Sequence, residues 1–565
     1  MNSKEQIIPG FLGIVGLGVE KYPTAEVNLK ETINSSFFKL FVTHGETENQ
    51  VKYFVSKNRF LWTGGLKLKE DFELDKFKPK DADHKFVCVD FHEKVIEIYT
   101  DHYSKIPLFY LSKNGTFYFS SSLELLLKAT GMKSFEINNE GLLFHYNFGF
   151  TSFDHTLING LKSLAGGKQL ILKNDQLTVR SYFEFYKNLT SNTATIDTNI
   201  QTLDNYLFDS TKNVLASNKN IGIALSGGVD SGYLAQKIHE CGKTFRAYTL
   251  GFKNDYNEFD RVDYLSNRLN FTTKKIILSP EDIISNYLEV SQHSSFPIGF
   301  NNSILNFIYK EAHQDGVDIM FDGDGADRLF LGMNKYLQLK KILNLYATAK
   351  NVNVHKLLAK MLKLVRHPIG SKLRFYFLKF NNNFPFYGER KLPNELIYDY
   401  EFEKLLNDIA IPEELKAFSS EKDKWLFFSF FSVYYTPTFF FHTPYELQLK
   451  HNIVSNPQFW SDKLVKLALE IPVSQKLNGR TTKMVLRKAA KLKIDDGYWN
   501  LSKIGLQNSF SYLKNSEVGK SFINEQVQQI KESDSYQYLV NAVPDKSIDA
   551  ERLIPFHIWK TNMLK

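Results

Sequence analysis

The run Ile221-Gly-Ile-Ala-Leu-Ser-Gly-Gly-Val-Asp-Ser-Gly-Tyr-Leu-Ala235 constrains this chain more than any other stretch. Ile221 to Leu225 is apolar and reads as a buried strand. Ser226-Gly227-Gly228 reads as a tight turn whose small residues let backbone amides approach a phosphate. Ser231 to Cys241 then reads as a helix, whose N-terminus favours an anion. Asp230 sits among these phosphate donors, where an acid alone would add unwanted negative charge; a bound Mg²⁺ explains it. An ordinary strand–turn–helix corner is the bland alternative, and Ser-Gly-Gly-Val-Asp-Ser after an apolar strand is too specific a pattern for it. The chain therefore predicts a parallel α/β unit.

Composition narrows the class. The chain has 565 residues, 43% hydrophobic and 23% charged, which fits a globular protein of about two to four domains. Its two cysteines, Cys88 and Cys241, lie in unrelated contexts, so a disulfide framework is excluded and a reducing, cytoplasmic setting is expected. No His/Cys cluster has zinc spacing. Met1 to Gly10 lacks the basic start and long apolar run of a signal peptide. No charge falls between Lys424 and Glu446, but the stretch contains Pro437 and His442 and is mostly aromatic, which predicts a buried helix pair and no stable membrane span.

The net charge of +8 is unevenly placed. Between Asp327 and Glu389 there is no acid and there are 12 basic residues. Within this basic insert, about 335–390, Val354, Leu357, Leu358, Met361, Leu362 and Val365 repeat at helical spacing, and Lys356, Lys360, Lys363 and Arg366 fall mostly on other faces. A solvated basic helix over a core is the plain reading. A docking surface for an acidic peptide or a carrier protein is the sharper one; no nucleic-acid signature accompanies it.

The two halves of the chain differ. Phe11 to Tyr186 reads as short alternating strands, such as Phe86 to Phe91, Phe117 to Phe119 and Gln169 to Leu172. Asn188 to Asn199 is polar and reads as a linker. Strand, Gly-rich turn and helix then alternate, and after Lys335 the chain is mostly helical.

The Ser226–Ser231 loop resembles the pyrophosphate loop of the ATP pyrophosphatases, which cleave ATP between the α and β phosphates. A second motif selects the branch. Val317-Asp-Ile-Met-Phe-Asp-Gly-Asp-Gly-Ala-Asp-Arg-Leu-Phe-Leu-Gly332 resembles the asparagine synthetase signature Ser-Gly-Glu-Gly-Ala-Asp-Glu-Leu-Phe-Gly-Gly. The resemblance makes Asp327 a second Mg²⁺ ligand with Asp230, and gives Asp324 the role of proton acceptor for the attacking amine. Asp324 replaces a Glu and is one methylene shorter; Arg328 reverses a charge. Gly479-Arg-Thr-Thr-Lys483-Met-Val-Leu-Arg487 resembles the family's Gly-x-x-Lys-x-x-Leu-Arg helix, and Trp499-Asn-Leu-Ser-Lys503-Ile-Gly505 its Arg-x-Lys-x-Gly-Phe. Lys483 thereby becomes a phosphate-facing lysine and Lys503 the catalytic one. In the first half, Asp101 to Tyr110, Phe119 to Leu126 and Asn159 to Lys168 are similar to motifs of the family's glutaminase domain. The implied architecture is α/β: a glutaminase-like αββα sandwich over 1–190, then a parallel-sheet ATP pyrophosphatase domain with a helical C-terminal part over 200–565.

Two departures redirect the function. The family starts Met-Cys-Gly-Ile-x-Gly, with the cysteine as N-terminal nucleophile whose own amine serves as base. Here the corresponding run is Phe11-Leu12-Gly13-Ile14-Val15-Gly16, behind extra residues, so Leu12 stands where the nucleophile belongs. Cys88 and Cys241 cannot replace it, and an inactive glutaminase is expected. Further on, Asn456 and Ser461 stand for the Arg and Asp of Glu-x-Arg-x-Pro-Phe-Leu-Asp, which counts against free aspartate as substrate. The chain is thus similar to the β-lactam and lasso-peptide macrolactam synthetases, which adenylate a carboxylate for an amine already at hand. The expectation is an AMP-forming amide ligase with ATP and Mg²⁺ as cofactors and a small-molecule or peptide carboxylate plus amine as substrates, a precursor peptide or carrier protein being a candidate partner. An asparagine synthetase using free ammonia and a catalytically lapsed binding module are the alternatives; a tRNA-modifying relative is disfavoured by the N-terminal half.

Overall fold

The computed structural model describes residues 10–16, 29–35, 37–43, 51–64, 72–92, 94–151, 156–187, 189–190, 192–216, 219–255, 257–352, 437–501, 508–533 and 550–563, with the single residues 354, 357 and 433. Two six-stranded antiparallel sheets form the first half. One contains β1 (Phe11–Val15), β2 (Leu29–Asn34), β3 (Phe38–Thr43), β8 (Phe109–Lys113), β9 (Thr116–Ser120) and β10 (Lys162–Ser163), in the order β10-β8-β9-β1-β3-β2. The other contains β4 (Val51–Val55), β5 (Arg59–Gly64), β6 (Lys85–His92), β7 (Val95–Thr100), β11 (Lys168–Lys173) and β12 (Gln176–Ser181), in the order β12-β11-β7-β6-β5-β4.

Period-two patterning builds these sheets: Val95–Thr100 alternates half-buried and buried side chains. Phe11, Phe38 and Leu40 from one sheet pack on Phe60, Trp62, Val87 and Ile98 from the other. The outer face of the first sheet carries two capped helices. Leu123–Thr130 starts on the Ser122 side chain and ends at Gly131 in the left-handed conformation, and Asn139–Phe148 starts on Asn138. The outer face of the second sheet is covered by the 3-10 turns Leu74–Lys76 and Pro79–Asp81, around Phe77 and Ala82.

The linker expected at Asn188 to Asn199 ends earlier than its composition suggests. The Thr195 hydroxyl accepts the Thr198 amide and starts a helix, Ile196–Leu215, in which Asn199 is buried. A Thr–x–x N-cap is built from the same residue types as a loop, so composition alone missed it.

The second half holds a five-stranded parallel sheet: β13 (Ile221–Ala224), β14 (Arg246–Phe252), β15 (Thr272–Leu278), β16 (Ile319–Asp322) and β17 (Val454–Pro457), in the order β15-β14-β13-β16-β17. The chain leaves β13 toward one edge through β14 and β15, then returns to its other side with β16. Loops after β13 and β16 therefore diverge and leave a crevice at their carboxyl ends, where open α/β sheets bind ligands.

The halves are joined by buried polar contacts. Trp62 Nε1 donates to the Tyr445 hydroxyl at 2.8 Å, Lys105 Nζ to the Trp460 carbonyl at 2.9 Å, and His102 Nδ1 lies 2.9 Å from Asp462 Oδ2. Of the aromatic stretch before Glu446, the part described belongs to the helix Pro437–His451, whose residues 441–449 are buried. Among the described residues no helix is long and apolar enough to cross a membrane. Most of the basic insert, including the periodic residues beyond Leu357, lies outside the described residues; Val354 and Leu357 are exposed.

Candidate active site

The Ser226–Ser231 loop follows β13 as the sequence predicts, with the helix beginning slightly earlier, at Val229–Glu240. Gly227 has φ +67°, a conformation that favours glycine, and the Gly228 amide donates to Ser226 Oγ at 3.4 Å. Ser231 Oγ accepts the Ser226 amide at 3.2 Å and lies 3.3 Å from Ser226 Oγ, so both hydroxyls face the mouth of the turn. Behind the loop, the Tyr498 hydroxyl donates to the Gly227 carbonyl at 2.7 Å. Arg261 stacks on the Tyr498 ring at 4.8 Å and donates through Nε to the Leu501 carbonyl at 3.1 Å. No local pattern marked Arg261 or Tyr498; they tie the phosphate loop to the segment that leads into Lys503. Lys503 itself lies outside the described residues.

After β16 the chain turns through Asp322-Gly323-Asp324-Gly325 into the short helix Ala326–Leu329, which carries Asp327. Gly325 has φ +97°, and a Cβ there would overlap the Trp460 indole. Asp322 Oδ1 accepts the Asp324 amide at 3.1 Å, and Ser455 Oγ donates to Asp322 Oδ2 at 2.8 Å. Burial raises Asp322 above the usual carboxylate range. Burial first, and the neighbouring Asp322 second, push Asp324 up to about 8. Asp322 was not singled out in the sequence, although an acid two residues before Asp324 could have been.

Lys483 joins the two loops. Its ammonium pairs with Asp230 Oδ2 and lies 2.7 Å from Asp327 Oδ1, with only 4% of the side chain exposed. The helix expected to contain it starts one residue later, at Met484, and Lys483 is its N-cap in the left-handed conformation, φ 51° and ψ 37°. That backbone costs a non-glycine residue roughly 1–2 kcal/mol. The turn aims the ammonium at both carboxylates instead of along the helix face.

Gly332 makes this approach possible, because a Cβ there would overlap both Lys483 Cε and Asp327 Oδ1. Gly332→Ala should separate Lys483 from Asp327 and lower AMP release by about tenfold or more, since small misplacements of positioning groups carry such penalties. Activity together with a thermal melt checks this. Turnover equal to that of the unaltered protein would mean the Lys483–Asp327 contact plays no part.

Ser226, Asp230, Ser231, Asp324 and Asp327 line one cavity of about 470 Å³ at the carboxyl ends of β13, β14 and β16. Leu250, Ile304, Ile308 and Met320 give it an apolar wall, and Glu258 and Asn301 polar ones. Asp230 and Asp327 converge on the Lys483 ammonium, and two carboxylates that meet at one positive charge are a donor set that fits Mg²⁺. Asn456, which the motif places at the substrate arginine, pairs with Phe321 in the sheet and faces a second cavity instead.

Residues 202–543, more than half of the chain, match the asparagine synthase family. The chain belongs to that family. Residues 79–183 match the glutamine amidotransferase domain, a stretch that begins beyond Leu12. A Bacillus subtilis relative named asparagine synthetase [glutamine-hydrolyzing] 1 is 23% identical over 80% of this chain and 73% of its own length. Among solved structures, the NH3-dependent NAD synthetase of Campylobacter jejuni aligns with 35% of this chain and 100% of its own at 16% identity and a TM-score of 0.20. The NMN synthetase of Francisella tularensis aligns with 25% and 58% at 23% identity and 0.19. Likenesses that slight do not bear on activity. The asparagine synthase family is one of ATP-dependent amidation ligases, and the mixed α/β fold is the one the motifs implied.

Proposed function

We propose that the chain is an AMP-forming amide ligase which adenylates a carboxylate and joins it to an amine without a glutaminase of its own. The convergence of Ser226, Asp230, Ser231 and Asp327 at one cavity, with Lys483 paired to both carboxylates, carries this reading. Asp230 and Asp327 would hold Mg²⁺, which would supply charge neutralisation for the triphosphate. The apolar wall of Leu250, Ile304 and Ile308 takes the base, and the amides and hydroxyls of the Ser226–Ser231 turn take the departing pyrophosphate. Lys483 and Lys503 offset the charge that builds as the substrate carboxylate attacks the α-phosphate and forms an acyl-adenylate. An amine then displaces AMP, losing its proton to Asp324.

The Asp324 role has a pH signature. A carboxyl held up to about 8 is protonated below that pH and serves as a base above it. Amide formation should rise with pH through this window. Asp324→Asn should flatten the rise and cut the rate by about 10²-fold or more; an unchanged profile in the variant would assign the proton to another group.

Leu12 supports the absence of glutaminase activity. It is fully buried in β1, paired with Phe41 and Ser120, and offers no nucleophile. Burial raises the thiol of Cys88, inside β6, far above its ordinary range, and also raises that of Cys241 at a helix end. An asparagine synthetase fed by free ammonia is a second reading; the Bacillus subtilis relative's name supports the asparagine synthetase part of it and names glutamine as that enzyme's nitrogen source. Purified protein with ATP, Mg²⁺, aspartate and ammonium, and glutamine in a parallel tube, separates the two. AMP and asparagine with ammonium alone would establish the second reading. Glutamine-driven product would overturn both. AMP release that needs another carboxylate, such as a precursor peptide or carrier-linked acid, would support the first.

A further inference from the structure

A second cavity, of about 730 Å³, lies between the N-terminal sheets and the parallel-sheet half, away from the nucleotide loop. Its wall on one side comes from β4, β5 and the start of β6, and on the other from the helix Ile196–Leu215, β17 and the turn that follows. Five lysines line it, namely Lys52, Lys85, Lys105, Lys219 and Lys463. Two aspartates oppose them, and one of these, Asp83, already accepts the Asp462 amide at 3.0 Å.

Lys85, buried at the inner end, donates to Gln448 Oε1 at 3.1 Å, Lys105 donates to the Trp460 carbonyl, and Lys52 and Lys463 are exposed. Two polar nitrogens in the wall have no hydrogen-bond partner. Gln458 is 2% exposed; its Oε1 accepts Ser210 Oγ, but its Nε2 has no hydrogen-bond partner. The Nε2 of His84 has none either; burial with Lys105 holds that imidazole neutral, down to about 3, and the tautomer protonated at Nε2 offers an N–H there. Unsatisfied buried donors are uncommon in folded proteins and, in a cavity lined by lysines, call for an acceptor.

We infer that this cavity binds a small organic dianion, a phosphate ester or a dicarboxylate, whose oxygens accept from Gln458 Nε2 and His84 Nε2 and whose charge is met by the surrounding lysines. The position of the cavity gives occupancy a route to the chemistry. Lys85 Nζ donates to the Ser455 carbonyl at 2.8 Å, Ser455 Oγ donates to Asp322, and Asp322 holds the Asp324 amide. The inference concerns a different cavity from the ligase assignment and stands whatever reaction the first cavity performs.

Calorimetric titration of the full chain with malonate, and separately with inorganic phosphate, tests it. One saturable site per chain is expected for at least one of the two anions, phosphate alone pointing to a phosphate ester and malonate alone to a dicarboxylate. Gln458→Leu should weaken it by about tenfold, and so should Lys463→Met, a surface change that spares folding. Ser226→Ala, which removes a hydroxyl from the nucleotide loop, should leave it unchanged. No saturable binding would overturn the inference. So would binding that Gln458→Leu and Lys463→Met both leave intact, or binding that Ser226→Ala weakens about tenfold, which would move the anion to the nucleotide cavity.

Discussion

Asp230→Asn should lower AMP and pyrophosphate release by about 10²–10³-fold, equivalent to roughly 3–4 kcal/mol of transition-state stabilisation. Asp230 and Asp327 reach the same cation from loops after two neighbouring strands, so neither has a substitute. On the proposed reading, loss of the Asp230 charge would leave one carboxylate for the metal, and it leaves buried Lys483 with only Asp327, most of which is exposed. The folded protein should therefore persist while Mg²⁺–ATP no longer raises its melting temperature. Parallel measurement of AMP release and of the Mg²⁺–ATP-dependent melt checks both halves of the expectation. Turnover within tenfold of the unaltered chain would remove Asp230 from the metal site.

Lys503→Ala should abolish amide product while ATP binding largely survives. The family resemblance places Lys503 beside the α-phosphate, and the described structure brings the chain toward that point: Arg261 holds the Leu501 carbonyl, and the Tyr498 hydroxyl holds the Gly227 carbonyl of the phosphate loop. A fixed ammonium matters most when the phosphorus becomes pentacovalent, so its removal acts on the transition state more than on the ground state. Loss of one such donor costs roughly 3–4 kcal/mol. Equilibrium binding of a non-hydrolysable ATP analogue, set beside AMP release, separates the two effects. Wild-type turnover would sink the assignment. Equal loss of ATP binding and turnover would make Lys503 a ground-state binding residue.

The sequence by itself determined the features written in short-range code. Ser226 to Ser231 is legible because a strand, a phosphate turn and a helix N-terminus are consecutive, and the hydrogen bonds that shape the turn join residues at most five apart. Asp324 and Asp327 were singled out because the Gly-spaced turn that carries them resembles the asparagine synthetase signature. Alternation along Val95–Thr100 was enough to predict strands, and Leu12 could be seen to lack a nucleophile from its side chain alone. The helix start at Thr195 was not legible, because a capping threonine and a loop threonine look alike until the backbone commits.

Only the tertiary structure decided where Lys483 points. Its motif implied a helix face, but the left-handed turn sends it to Asp230, 253 residues away. Asp322 meets Ser455 across 133 residues, and Tyr498 meets Gly227 across 271. The cavity between the halves has no sequence signal at all, since its lysines are ordinary surface residues in each half taken separately. Local propensity and periodicity depend on neighbours within a few positions, whereas a site is made where distant segments are brought together by burial of the apolar faces between them. Which lysine meets which carboxylate is therefore set by packing, and the sequence records it only indirectly, in a glycine at 332 that leaves room for the contact.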